Sequence, residues 1–237
     1  MSYLEWPRRV AALGQFRVGD PERPVLSDDD VHHLRTVLRA KPGEEIVVTN
    51  GAGAWSICEV GERALNRVTL VHVDPVTPST TIYLAPLKGD RSEWAVAKVS
   101  ELGVSRIVPL VSGRLVVKFN GETRDKIVTR WRRIAAEAGG QCRRTYDVLV
   151  DEPVNVADVP VDVCVADFDG AGDWSSVTDV AIGPEGGWAS DEWAKERRRL
   201  SLGPTVLRAE TAGVVAASLL AFGAGDWGFT LTSGSAG

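Results

Sequence analysis

Residues 180–190 of this 237-residue chain read VAIGPEGGWAS, and they indicate the fold class. A short apolar run at 180–183 leads into a loop with three glycines, and Ser190 then stands where the cap of a helix is expected. Glycine lets the backbone take positive φ and approach a ligand, and Pro184 stiffens the start of the loop. In open α/β sheets ligands lie at the carboxyl ends of the strands, which is where this pattern places the loop.

Alternating strands and helices on both sides of this loop predict an α/β domain with a mostly parallel sheet. The expected strands span residues 81–87, 106–111, 161–166 and 180–183. The expected helices span residues 92–102 and 122–138, a segment capped by Ser190, and residues 210–222. A further short strand is expected after Pro204, with Arg208 at its end, and residues 232–237 are expected to fray.

The first 77 residues predict a separate unit, a small β-barrel with one helix. β-branched and aromatic runs occur at 46–49, 55–60 and 68–73, and the hairpin sequence NGAG joins the first two. Ser27 is the expected cap of the helix. The segment VDPVTPST is typical of a linker, so the expected domains span residues 1–77 and 78–237.

Composition excludes several classes of protein. A hydrophobic content of 44% with 25% charged residues excludes disorder as the main state. Three cysteines without a CxxC spacing exclude a disulfide framework and a four-cysteine zinc site, and no metal site is expected. No apolar run is long enough to cross a bilayer and no export leader is visible, so we expect a cytoplasmic protein without a membrane partner.

The net charge of −5 is distributed unevenly. Residues 78–150 carry a formal charge of +6, whereas residues 151–237 carry −9. A basic middle in an acidic protein suggests a polyanionic partner, and a solvated charged surface would give the same pattern.

Three further segments contain candidate binding residues. They are LKGDRSEW at 87–94, the basic segment 130–144, and SLGPTVLRAETA at 201–212. The glycine loop lacks the GxGxxG and P-loop patterns, so a small neutral or cationic ligand is favoured over a phosphate. Each segment by itself also has a purely structural explanation: a tight turn for the glycine loop, a salt bridge for Arg208 and a solvated helix face for the basic residues.

Taken in this order, the segments resemble the ribosomal RNA small subunit methyltransferase E family. KGDRSEW, RWRRIAAEAGGQ, IGPEGGW and LGPTVLRAETA carry the resemblance, which covers almost the whole chain. It implies a PUA-like RNA-binding barrel followed by a SPOUT α/β domain with a deep trefoil knot, at about residues 160–225. It also implies a homodimer and the cofactor S-adenosylmethionine (SAM), held largely by backbone groups.

The resemblance implies that the glycine loop at 182–187 and the segment 202–212 form neighbouring walls of one pocket. The implied cofactor contacts are Ile182, Gly183, Pro184, Glu185, Gly186, Gly187, Leu202, Gly203, Leu207, Arg208, Glu210, Thr211 and Ala212. Arg208 is the expected stabiliser of negative charge and Glu185 the expected proton acceptor. The expected RNA contacts are Arg8, Arg9, Lys88, Arg91, Gln141, Arg143 and Arg144.

The implied activity is SAM-dependent methylation of uridine N3 in small-subunit (16S) ribosomal RNA. Two alternatives stay open. The chain could be a methyltransferase of the same superfamily that acts on tRNA or large-subunit RNA, or an RNA-binding module without catalysis. A nucleotide-dependent Rossmann enzyme is disfavoured because both phosphate patterns are missing.

Overall fold

A computed structural model describes residues 5–117 and 119–223 of the chain. The described residues form two units, one of residues 5–76 and 136–147 and the other of residues 77–135 and 148–223. Residues 136–147, which the sequence places in the second domain, therefore belong to the N-terminal unit. The fraying predicted at residues 232–237 lies outside the described part of the chain.

The N-terminal unit is built on a sheet of five strands. They are β1 (Gln15–Arg17), β2 (Glu45–Thr49), β3 (Ala54–Val60), β4 (Leu65–Arg67) and β5 (His72–Val73). β2 and β3 form the predicted antiparallel hairpin, β1 is parallel to β2, and both β4 and β5 pair with β3. The strand predicted at 68–73 is instead interrupted, because the Thr69 hydroxyl accepts the hydrogen bond of the Ile57 N–H in place of a backbone carbonyl.

The N-terminal unit also contains two short helices, one before β1 and one between β1 and β2. α1 (Trp6–Ala11) precedes β1, and α2 (Asp28–His32) continues into a π-helical turn at His33–Val37. As predicted, Ser27 caps α2, with its hydroxyl accepting a hydrogen bond from the Asp30 N–H at 3.1 Å. The core of the unit is apolar and includes Phe16, Val18, Leu34, Ile46, Val48 and Val60. Burial of each such side chain contributes about 1.5–3 kcal/mol to the free energy of folding.

A buried ion pair joins distant segments of the N-terminal unit. Arg9 is only 2% exposed, and its guanidinium donates to the Asp74 carboxylate at 2.8 Å and to the carbonyl of Arg143. Asp74 also accepts hydrogen bonds from the Thr145 hydroxyl at 2.8 Å and the Trp55 indole at 2.9 Å. These contacts are the physical reason why residues 136–147 belong to this unit.

The same contacts set the pKa of Asp74. Burial opposes its ionisation, but the hydrogen bonds from Arg9, Thr145 and Trp55 and the charge of Arg9 outweigh burial and lower the pKa. Because the pKa is lower in the folded than in the unfolded chain, the carboxylate stabilises the fold fully above about pH 4. This stabilisation is lost as the pH falls through the folded value.

Asp74→Asn is therefore expected to reduce the loss of folding stability that the protein shows when the pH falls below about 4. Wild-type unfolding midpoints in urea should fall as the pH drops below about 4. The variant should be less stable at pH 7 and lose less on acidification. A parallel acid loss in the two proteins would show that Asp74 does not link stability to pH.

The C-terminal unit contains a parallel sheet of seven strands. They are β6 (Thr81–Leu84), β7 (Arg106–Val111), β8 (Leu149–Val150), β9 (Val154–Asn155), β10 (Cys164–Ala171), β11 (Asp179–Ile182) and β12 (Arg199–Leu200). The order is β12-β10-β11-β6-β7-β8, β9 also pairs with β7, and every pairing is parallel. The predicted parallel α/β sheet is confirmed, and the trefoil knot stays a prediction.

Three helices belong wholly or mostly to this unit. They are α3 (Arg91–Glu101), α4 (Gly121–Gln141) and α5 (Ala209–Gly223), and a 3₁₀ turn lies at Val156–Asp158. Gly103, at φ +100°, follows the end of α3, close to the predicted end of this helix at residue 102. The central core includes Ile82, Leu84, Val96, Val99, Ile107, Trp131 and Leu220. None of the described helices has the length and apolarity needed to cross a bilayer.

Two predicted elements of this unit are wrong. The helix capped by Ser190 does not form, and residues 190–198 are turns. Glu192 accepts a local hydrogen bond from the Ala189 N–H at 2.9 Å and a distant one from the Gly113 N–H at 2.6 Å. The bond to Gly113 is a tertiary contact that competes with the local helix signal. The strand predicted before Arg208 is also absent, since residues 201–208 are irregular and the strand β12 ends before them. β10 begins later than predicted and extends to Ala171.

Candidate active site

A cleft of about 990 Å³ opens in the C-terminal unit. Its lining residues come from four segments: Arg91 at the start of α3, residues 166–168 of β10, residues 182–185 and 187–190 at and after the end of β11, and nine residues between 199 and 212. The loops after β11 and β12 thus lie at the carboxyl side of the sheet, on either side of β10, where ligands of α/β sheets lie. The glycine loop and the segment before α5 therefore lie at one cleft, as the resemblance implies.

Most of the expected cofactor contacts line the cleft. They are Ile182, Gly183, Pro184, Glu185, Gly187, Leu202, Gly203, Leu207, Arg208 and Ala212. Gly186 does not, because its carbonyl accepts a hydrogen bond from Arg114 at 3.2 Å and a Cβ there would lie 3.4 Å from the Arg114 carbonyl oxygen. Glu210 is buried in the first turn of α5 and Thr211 is half-buried beside it, and neither lines the cleft.

The glycine loop is folded tightly against a tryptophan. Gly187 has φ +66°, and its N–H donates to the Pro184 carbonyl at 2.9 Å, which closes the turn. A Cβ on Gly183 would lie 3.0 Å from the indole of Trp188, so the ring would have to shift by a few tenths of an ångström to accommodate it. The Trp188 indole N–H donates to the Ala166 carbonyl at 3.0 Å, which holds the ring as a wall of the cleft.

Glu185 connects the glycine loop to the turn before α3. Its Oε1 accepts a hydrogen bond from the Lys88 N–H at 3.0 Å and forms an ion pair with Arg91, also at 3.0 Å. Two donors therefore hold one carboxylate oxygen. This arrangement favours a positioning role for Glu185 over the expected role as proton acceptor.

Arg208 presents an unpaired cation to the cleft. Its side chain is exposed and makes no hydrogen bond or ion pair within residues 5–117 and 119–223. In the same part of the chain, the backbone N–H groups of residues 205–208 donate no hydrogen bond. The 15-residue helix α5 begins directly afterwards, and its N-terminal end favours negative charge. This rim of the cleft is suited to bind and stabilise an anionic group.

Sequence reasoning missed one whole wall of the cleft. Asp167 and Phe168 of β10 line it, together with Arg199 of β12. The Arg199 guanidinium donates to the Asp167 carboxylate, and Phe168 is 61% exposed. The signal that could have found them is positional, because a strand was expected to end at residue 166 and ligands lie at strand ends. The other unanticipated lining residues include Trp188, Ser190, Thr205 and Val206.

The expected RNA contacts divide between the two units. Lys88 and Arg91 lie in the C-terminal unit, and the other five, Arg8, Arg9, Gln141, Arg143 and Arg144, lie in the N-terminal unit. Arg9 is wrong as an RNA contact because it is buried in its ion pair with Asp74. Arg143 is half-buried and donates to the Ala12 carbonyl at 2.6 Å, so it is structural as well. Arg8 pairs with Glu45, whereas Lys88 and Gln141 are exposed.

Side chains of the types that bind metals do not form a cluster in the part of the chain that the structure describes. No group of three or more His, Cys, Asp or Glu side chains lies there in an arrangement that could hold an ion.

Two family models match the sequence. The model of an RNA methyltransferase domain matches residues 75–221, and that of an RNA methyltransferase PUA domain matches residues 26–71. Among curated proteins, ribosomal RNA small subunit methyltransferase E of Mycobacterium bovis is 31% identical over 223 residues. That match covers 81% of this chain and 83% of the relative.

Solved structures share the fold. A methyltransferase from Legionella pneumophila, solved with its cofactor SAM bound, is 28% identical with a TM-score of 0.75, over 88% of this chain and 96% of that one. Ribosomal RNA small subunit methyltransferase E from Neisseria gonorrhoeae, bound to S-adenosyl methionine, is 24% identical with a TM-score of 0.72. That comparison covers 88% of this chain and 97% of the other.

Proposed function

Because this chain belongs to the ribosomal RNA small subunit methyltransferase E family, we propose that it methylates N3 of a specific uridine in small-subunit (16S) ribosomal RNA, with SAM as methyl donor. Membership agrees with the predicted fold class, a PUA-like domain followed by a SPOUT methyltransferase domain. The observation that carries the proposal is the cleft itself, in which the unpaired Arg208 stands at the rim formed by both loops.

The residues of the cleft fit SAM. When bound, this cofactor supplies an electrophilic methyl group on a positively charged sulfur. Gly183, Gly187 and Gly203 leave stretches of wall without side chains, and the N–H groups of residues 205–208 are unpaired within the described chain. The apolar lining residues Ile182, Leu202 and Leu207 suit an adenine ring.

Arg208 has the properties that the methyl acceptor requires. Uridine N3 is a weak nucleophile until it loses its proton, here to the solvent that reaches the open cleft, and the resulting negative charge spreads to the carbonyl oxygens of the base. A guanidinium is always cationic and offers a planar pair of donors to such an oxygen. Arg208 is free to do so, and the N-terminal end of α5 adds to the favourable field. Alignment of the base with the methyl group by the cleft walls would further favour the reaction.

The knot, the homodimer and the cytoplasmic location are proposals that rest on the family resemblance. The knot would lie at about residues 160–225. The homodimer is the assembly that the resemblance implies. Sedimentation of the purified chain would show one species of twice the monomer mass.

Nucleoside mass spectrometry tests the activity. Small-subunit RNA from a strain that lacks the protein should lose one N3-methyluridine, and purified chain with SAM should restore it. Loss of a modified nucleoside from tRNA or large-subunit RNA instead would identify a different substrate. Calorimetry should show heat on addition of SAM, and the absence of binding would favour an RNA-binding module without catalysis.

Gly183→Val is expected to weaken SAM binding while the fold stays intact. The added atoms would displace the Trp188 indole, which lies 3.0 Å from the position of a Cβ and forms a wall of the cleft. A displaced ring takes space from the cleft, so we expect the Kd for SAM to rise about tenfold or more, which corresponds to about 1.4 kcal/mol of binding free energy. The measurement is calorimetric titration with SAM.

Gly186→Ala is the matched control within the same loop. Gly186 does not line the cleft, so this change should leave the affinity for SAM close to that of the wild type. If both variants keep wild-type affinity, the cofactor does not lie against Gly183.

A further inference from the structure

We propose that a second cleft in the C-terminal unit binds a nucleotide of the substrate RNA that neighbours the methylated uridine, with Lys88 contacting its phosphate. The inference rests on the proposed function, because it assigns a further part of the same RNA substrate. The cleft has a volume of about 670 Å³. Its walls are the turn before α3, residues 116–117 of the loop after β7, and the first half of α4.

Charge in this cleft suits a phosphate. Three basic side chains, Lys88, Lys126 and Arg130, line it with one acidic side chain, Glu93. Glu93 pairs with Arg130 at 2.7 Å, and Lys126 pairs with Glu122 at 2.6 Å. The Lys88 ammonium is exposed and has no partner in the described residues. Lys88 is therefore the cation that is available to a ligand.

Apolar side chains in the same cleft suit the face of a base. Leu87, Ile127 and Trp131 line it, and Trp131 is 1% exposed and so forms the floor. Val116 lies at the opening and is 58% exposed, although it is apolar. The exposed Val116 and the half-buried Ile127 are the apolar side chains that a base could contact, beside the cation of Lys88.

The two clefts share the turn at residues 87–91 as a common wall. Lys88 lines the second cleft, and Arg91, three residues later, lines the first. Both residues bind Glu185 Oε1, through the Lys88 N–H and the Arg91 guanidinium, each at 3.0 Å. Glu185 thus fixes the turn to the glycine loop. An RNA strand with its uridine in the first cleft would cross this turn with an adjacent phosphate at Lys88.

Lys88→Ala tests the phosphate contact. The probe is a transcript of small-subunit ribosomal RNA, and its binding constant is measured by filter binding at several salt concentrations. Each phosphate contact to a single strand contributes about 0.7 to the slope of log K against log salt. We expect the slope of the variant to be smaller in magnitude by about 0.7, with weaker binding at low salt and unchanged calorimetric affinity for SAM. Lys195→Ala is the matched control, because Lys195 is exposed, has no partner in the described residues and lines neither cleft.

Val116→Asp tests the same cleft from its other wall. A negative charge at the opening should weaken RNA binding and leave SAM binding unchanged. Wild-type RNA affinity and salt slope in both variants, while the wild type still methylates the RNA, would overturn the subsite and leave the proposed function standing. If Val116→Asp changes the sedimenting species and Lys88→Ala binds RNA normally, the cleft is a protein contact and the proposal is wrong. A wild-type chain that methylates no small-subunit RNA would instead overturn the proposed function.

Discussion

Arg208→Lys is expected to lower the rate of methyl transfer about a hundredfold or more, the usual effect of losing one charge-stabilising donor. Lysine keeps the positive charge but loses the planar fork that can hold a carbonyl oxygen with two hydrogen bonds. The guanidinium is free of protein partners in the described chain, so its replacement removes no structural contact seen there. The rate loss should therefore come from the transition state and not from misfolding.

Single-turnover transfer at saturating RNA and SAM is the measurement for this variant. SAM affinity, measured separately by calorimetry, should stay near that of the wild type because backbone groups and apolar side chains supply most of the cleft wall. Turnover close to the wild type would show that Arg208 is not involved in the chemistry. A rate loss accompanied by an equal loss of SAM affinity would make Arg208 a cofactor contact instead.

Arg9→Met is expected to destabilise the N-terminal unit by about 3–5 kcal/mol at pH 7, because removing one member of a buried ion pair leaves the other charge uncompensated. Asp74 would lose its charge partner, and the Trp55 ring would lose a cation 4.6 Å from its centroid. The free energy of unfolding in urea measures the loss. Hydrogen exchange should show it in peptides from β2 and β3, which belong to the same unit.

Arg8→Ala is the control for this prediction. Arg8 is the neighbouring residue on α1, and it forms an ion pair with Glu45. The Arg8 side chain is 40% exposed, so this pair lies at the surface. Pairs of this kind contribute about 1 kcal/mol or less. If Arg9→Met costs no more than Arg8→Ala, the buried pair does not stabilise the unit. The double variant Arg9→Met with Asp74→Asn should recover part of the loss, since no buried charge is then left unpaired.

Local sequence signals were sufficient wherever one short segment determines its own structure. The β2–β3 hairpin, β7, α3 and α5 lie close to their predicted positions, because alternation, helical spacing and turn residues act within a few positions of one another. The glycine loop and the segment before α5 were also recognised by their residues. Their order along the chain was enough to indicate the family and one shared pocket.

Packing between distant segments decided the rest. The helix expected after Ser190 gave way to contacts of Glu192 with Gly113, and Gly186 turned toward Arg114 and away from the cleft. Arg9 looked like an exposed cation until Asp74, 65 positions later, was placed beside it. Asp167 and Phe168 became site residues only because β10 lies next to β11 and β12. A sequence pattern specifies which residues can form a strand or a loop, but the side of a loop that faces a ligand depends on neighbours far away in the chain, and only the folded structure supplies them.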